Sequence, residues 1–321
     1  MERQKGLSVK SRLIQGIAVL SVTLLAVVLT PFIGPIAVIM TPLPMMYCYF
    51  RLGRNQALVA LAIALAVASV AVGLLGRSAS LPVLAMISFT GVLLAEILQR
   101  RYSLEKTFIL ASLAMFFSGI GFILYYAAQS GIEPWRLVET YIAGILRENL
   151  KLYGQMNISE EQIRLVRENS AEITRFFVGI FPALALVGAM FTVWLNLLAG
   201  RSLLSGSAGF PEFGDLTLWR APDRLVWVLI AAGLMMLIPD ETLVMVGMNI
   251  LIVCCLIYFL QGMAITAFFF HLKKISVIFR WLFYMLLAVQ QYTIVFVVAL
   301  GLFDLWIDFR KRIAGIKNVQ A

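Results

Sequence analysis

The sequence predicts an all-α, polytopic transmembrane helix bundle of eight to ten spans, and three observations carry that expectation. Hydrophobic residues make up 61% of the 321 and charged residues only 13%, with a mean hydropathy of +0.93. Soluble domains sit near half and a quarter. Apolar runs close to the ~20 residues that cross a bilayer recur from Leu13 to Phe309. Lys and Arg gather on alternate connections. With ten spans and the amino terminus in the cytoplasm, 19 of the 26 basic residues fall inside and 7 outside, the bias that orients membrane proteins. Both termini are then cytoplasmic and ten is the working number. The bacterial inner membrane is the expected location.

The spans follow in order. Arg3, Lys5, Lys10 and Arg12 precede an apolar run from Leu13 to Thr30. No small-residue cleavage pattern follows it, so it reads as a retained first span rather than a signal peptide. Pro31, Gly34 and Pro35 predict a tight turn. The return to Phe50 is a short second span that Pro42 and Pro44 must break, because each proline removes a donor and clashes with the preceding turn. Ala57 to Gly76 is a third span with Ala60, Ala64 and Ala68 as a small-residue stripe for close helix packing. That packing is either internal or against a partner subunit. Leu81 to Leu98 ends in Glu96 and a basic loop, and Thr107 to Ala128 is the fifth span. These make an amino-terminal membrane unit, 1–128.

Residues 129–173 read as an exoplasmic amphipathic insertion, with Trp135, Val138, Tyr141, Ile142, Ile145 and Leu146 on one helical face. Seven Glu against six basic residues between 129 and 175 argue against a polybasic lipid-binding helix. Ser159 and Gln162 have capping-box spacing, and one long helix is expected from there through Pro182 to Leu204. The carboxy-terminal part, 174–321, continues the same membrane domain. Leu225 to Ile238 is a short seventh span, Thr242 to Phe270 an eighth, and Ile275 to Phe309 is one helix or two turning at Gln290-Gln291.

Polar groups inside the membrane are costly and are the first candidates for function. Asn196, Asn249 and Gln261 are read either as interhelical hydrogen bonds, each worth roughly 0.6 kcal/mol, or as substrate contacts. Asp304, Asp308 and Arg312 are spaced to share a helix face beside Trp306, a candidate interfacial anchor. Asp304 is alternatively a buried carboxylate paired with an arginine such as Arg280. No phosphate loop, HExxH or nucleophile elbow occurs, so no catalytic residue is assigned and the chain is not expected to be an enzyme. Cys48, Cys254, Cys255 and the single His271 lack metal-ligand spacing, so neither metal nor cofactor is expected. The net charge of +9 is assigned to membrane topology rather than to nucleic acid.

Taken whole, the chain resembles the YybS-like family of bacterial inner-membrane proteins. The resemblance rests on Pro42-Leu43-Pro44 with Arg51-Leu52-Gly53, Trp219-Arg220-Ala221-Pro222, Asn249 with Gln261-Gly262, and Gly301-Leu302-Phe303-Asp304-Leu305-Trp306-Ile307-Asp308-Phe309-Arg310-Lys311. The first half more distantly resembles the S components of energy-coupling-factor transporters, through the short Pro-containing second span, Arg51-Leu52-Gly53 and the alanine-rich third span. That resemblance implies a small-molecule-binding subunit that docks on a separate membrane coupling subunit and has no ATPase of its own. The alternative expectation is a non-transporting scaffold that organises envelope or division proteins through its helix faces.

Overall fold

The structure, a computed structural model, describes residues 9–30, 34–76, 81–155, 159–207 and 209–315. Arg3, Lys5, the Pro31 part of the expected turn, Arg77 and Lys317 lie outside them. The described residues form helices α1 (Val9–Leu29), α2 (Gly34–Met40), α3 (Pro42–Leu52), α4 (Arg54–Leu74), α5 (Leu81–Gln99), α6 (Leu104–Ser130) and α7 (Pro134–Tyr153). There follow α8 (Glu160–Glu168), α9 (Ser170–Leu204), a 3-10 turn (Leu216–Leu218), α10 (Leu225–Met235), α11 (Glu241–Leu272), α12 (Val277–Val289), α13 (Gln291–Ile307) and α14 (Phe309–Ala314).

By length and composition six of these helices suffice to cross a membrane: α1, α4, α5, α6, α9 and α11. A seventh results if α12 and α13 count as one span, but they are bent by 109° where Gln290 interrupts them. The ten expected spans include four further segments, each short or broken: α2 with α3, α10, α12 and α13. The expected span at 225–238 contains an 11-residue helix, about 16 Å long at 1.5 Å per residue, against a hydrocarbon core near 30 Å.

One local expectation holds and one is corrected. The prolines do break the second apolar segment, with the break at Thr41 between α2 and α3. The long helix from Ser159, however, is two helices. Ser159 caps α8 by accepting from the Gln162 N–H, but Asn169 closes that helix, its Nδ2 donating to the Leu165 carbonyl at 2.8 Å. An Asn that bonds its own preceding turn competes with the continuing ladder, so α9 starts afresh at Ser170.

The chain divides into two compact units. Unit 1 comprises Met1–Leu137 and Gly188–Phe213; unit 2 comprises Val138–Val187 and Gly214–Ala321. In unit 1, α1 packs on α4 and α3 on α5. Small residues set these approaches. Ala60, Ala64 and Ala68 have no exposed surface, and a side chain at Gly16 would meet Leu52, Cys48 and Ala60. At Gly91 a Cβ would lie 3.0 Å from that of Met45. The carboxy-terminal half of α9 closes this unit, with Gly200 under Met46 and Trp194 edge-on to Phe108.

Unit 2 is built on α11. It packs against α10, α13 and α14, and its tightest approach is to α13. A Cβ on Gly262 would collide with the Val297 carbonyl, and one on Gly301 with the Tyr258 carbonyl. Two glycines placed against each other's helix bring backbone to backbone, the way membrane helices associate when no hydrophobic force separates helix from lipid. α12 has no buried residue.

Candidate functional site

Several polar or concave features lie within the units. In unit 1, Asn196 is fully buried on α9. Its Nδ2 donates to the Ile39 carbonyl and to the Thr192 carbonyl, both at 2.7 Å. Ile39 stands among the last carbonyls of α2, which lack intrahelical donors, so Asn196 helps close the broken segment. Thr41 Oγ1 adds a bond to the Ala37 carbonyl at 2.6 Å. Asn196 Oδ1 has no partner among the described residues.

Also in unit 1, Glu96 near the end of α5 accepts from Arg54 Nε at 2.6 Å and from the Tyr49 hydroxyl at 3.1 Å. This joins the ends of α3 and α5 to the start of α4. The same unit holds a cleft between α5 and α6 of about 540 Å³, lined by Leu81, Met86, Phe89, Ser118, Phe122 and Tyr125 together with Pro82 and Ala85. None of its lining residues is charged.

In unit 2, Asn249 on α11 reaches the backbone of α9 around Pro182. Its Nδ2 donates to the Gly179 carbonyl and its Oδ1 accepts from the Ala183 N–H, at 2.8 and 2.9 Å. Gly179 and Ala183 are the acceptor and donor of one helical rung, next to the rung that Pro182 cannot make. The carboxamide therefore spans a weakened position in the ladder.

The second polar centre of unit 2 is a buried ion pair. Asp304 and Arg310 are 2% and 4% exposed and meet at 2.8 Å. Asp304 also accepts from Gln261 Nε2 at 3.1 Å and from the Phe309 N–H at 2.9 Å. Arg310 donates further to the Thr217 and Trp219 carbonyls, and Gln261 Oε1 accepts from the Ala221 N–H. The pair thus fastens 217–221 onto α11, α13 and α14. Burial lowers the Arg310 pKa, with Asp304 opposing the shift. Beside it, Asp308 binds Arg220 at 2.6 Å and Lys311 at 2.9 Å. Burial opposes the ionised form of Asp308, but its bonds to Lys311 and Arg220 hold its carboxyl below the ordinary value.

The single-face ladder expected for Asp304, Asp308 and Arg312 is therefore not present. α13 ends at Ile307, and Asp308 takes a left-handed conformation with φ 45° that starts α14. Its four-residue spacing from Asp304 then no longer means a shared face. The partner of Asp304 is Arg310, six residues further on, rather than Arg280. Arg280 instead donates to the Ile275 and Phe270 carbonyls. Trp306 is 63% exposed beside Phe303, and Arg312 is exposed.

Chemically, the Asp304 centre is saturated: both carboxylate oxygens are engaged and the guanidinium is bonded on three nitrogens. It can hold chain segments together, and it presents no unengaged carboxylate oxygen to a reactant. Among the described residues no group of three His, Cys, Asp or Glu is placed to hold a metal. Concavities within unit 1 include the apolar cleft and a void the size of one water among Leu20, Thr41, Met45 and Ser88.

Apolar helices of crossing length, polar groups consumed in joining helices, and exposed aliphatic and aromatic surface define a polytopic helical membrane protein. The chain belongs to the family described as "Predicted membrane protein (DUF2232)", whose profile matches residues 18–305. No curated protein and no solved structure matches it.

Proposed function

We propose that the chain is a transporter-related, small-molecule-binding subunit of a bacterial inner membrane, with both termini cytoplasmic and no ATPase of its own. The carrying observation is the α5–α6 cleft of unit 1. It is a largely open cleft whose volume falls within the roughly 300–1,000 Å³ of ligand sites, and it pairs an apolar, aromatic wall with two hydroxyls, those of Ser118 and Tyr125. The resemblance of the first half to S components supports the same reading and implies a separate coupling subunit as partner. Charge bias supports the orientation, and the motifs quoted above support a YybS-like protein. The scaffold alternative rests on the scarcity of buried charge and on the stripe of Ala60, Ala64 and Ala68. Their burial inside unit 1 leaves that stripe no surface to offer envelope or division proteins.

The test is thermal unfolding of the detergent-purified protein against vitamins, nucleobases, metals and apolar metabolites. A ligand at a hundred times its Kd adds about 2.7 kcal/mol to the folded state. A saturable shift that Met86→Trp abolishes supports the reading. A flat panel with folded, monodisperse protein, or a shift indifferent to Met86→Trp, opposes it.

A further inference from the structure

One end of unit 1 gathers cations on connections too short to leave the membrane boundary. α3 and α4 are joined by Gly53 alone, and α5 and α6 by residues 100–103. Gly53 sits at φ 87°, a backbone conformation that glycine adopts without strain. The Tyr49–Glu96 and Arg54–Glu96 bonds hold the two connections side by side. Arg51, Arg100, Arg101 and Lys106 are all exposed there. Arg51 lies 5.7 Å from the Tyr47 ring centre and Lys106 4.2 Å from that of Tyr102, the spacing of cation–π contacts. The one nearby carboxylate in α5, Glu96, is already engaged by Arg54. Glu105, exposed in the first turn of α6, leaves the group clearly positive.

We propose that this end of unit 1 binds the headgroup of an anionic phospholipid. A connection of one residue and another of four keep these side chains within a few ångströms of the span ends, which is headgroup depth. Tyr47 and Tyr102 are side chains that favour that depth. An acidic partner protein would need these charges raised into water, and the short connections do not provide that. The shared chemistry is a phosphate monoanion against Arg and Lys, with the glycerolipid anchoring it laterally.

The experiment uses the full chain in a neutral detergent, measuring unfolding temperature against added phosphatidylglycerol, phosphatidylcholine or inorganic phosphate. Phosphatidylglycerol should raise it saturably and in a salt-sensitive way, with phosphatidylcholine and phosphate weaker. Each basic residue near an anionic surface contributes roughly a factor of five in affinity. The triple variant Arg100→Gln/Arg101→Gln/Lys106→Gln should therefore raise the half-saturating lipid concentration at least about tenfold. Lys273→Gln/Lys274→Gln, which removes charge in unit 2, should leave it unchanged. Phosphatidylglycerol retained on the purified protein, counted by native mass spectrometry, should fall in the triple variant only. Equal shifts from both lipids, a full shift from inorganic phosphate, an unaffected triple variant, or lipid retention that instead tracks Lys273 and Lys274 would each overturn the proposal.

Discussion

Asp308 shows how one residue carries several duties. Its left-handed backbone starts α14, its side chain accepts from the Lys311 N–H, and its carboxylate binds Arg220 and Lys311. Asn tolerates the left-handed region and can still cap, so Asp308→Asn removes the charge while keeping the turn. Because the folded carboxyl titrates below its unfolded value, near 3.9, its stabilisation is complete above that value. It is lost as pH falls through the lower folded value. Thermal unfolding from pH 7 to pH 3 should thus show a wild-type advantage over Asp308→Asn that shrinks below about pH 4. An advantage independent of pH would mean the charge is irrelevant. Arg310→Met is expected to be harsher, costing about 3–5 kcal/mol because Asp304 is left buried and unpaired. Adding Asp304→Leu should recover part of that loss, and an additive double variant would show that the two side chains do not act as a pair.

Between elements, the decisive contacts are made where a helix is weakest. Asn249 occupies the rung beside Pro182, so Asn249→Leu leaves the Ala183 N–H and the Gly179 carbonyl without their side-chain partners, at about 1–3 kcal/mol for each group that stays unsatisfied. In a Pro182→Ala background the ladder can close by itself, and the same substitution should cost measurably less. Equal costs in the two backgrounds, read from chemical unfolding, would refute the rung account. Gly262→Ala and Gly301→Ala should each prevent α11 and α13 from meeting, because the added carbon collides with backbone rather than with a flexible side-chain tip. Loss of the folded, monodisperse species in detergent is the expected readout, and a normally stable Gly262→Ala protein would contradict the close approach. Such contacts were only half legible in the sequence. Pro182, Asn249 and the glycines are visible as residue types, but spacing along one helix does not say which carbonyl on another it will face.

For the molecule as a whole, composition and charge periodicity made the class legible, since bilayer crossing depends on quantities that sum along a helix. The division of the chain did not show. Units are defined by contacts between distant segments, and α9 contributes residues to both. The polar residues were legible as costs to be met, while their partners were not. Arg310 is in sequence one of three consecutive basic residues, and only the turn at Asp308 carries it back against Asp304. Likewise the seventh apolar run has span-like composition, and its helix ends after 11 residues where Met236 to Asp240 leave the helical path. The meeting of Gly262 and Gly301 has a mechanical consequence. Each glycine seats a carbonyl of the facing helix like a dowel in a drilled hole, so α11 cannot slide along α13 without driving a carbonyl into a neighbouring side chain. Whatever motion unit 2 undergoes must carry these two helices as one rod, pivoting at its ends and never shearing along its length.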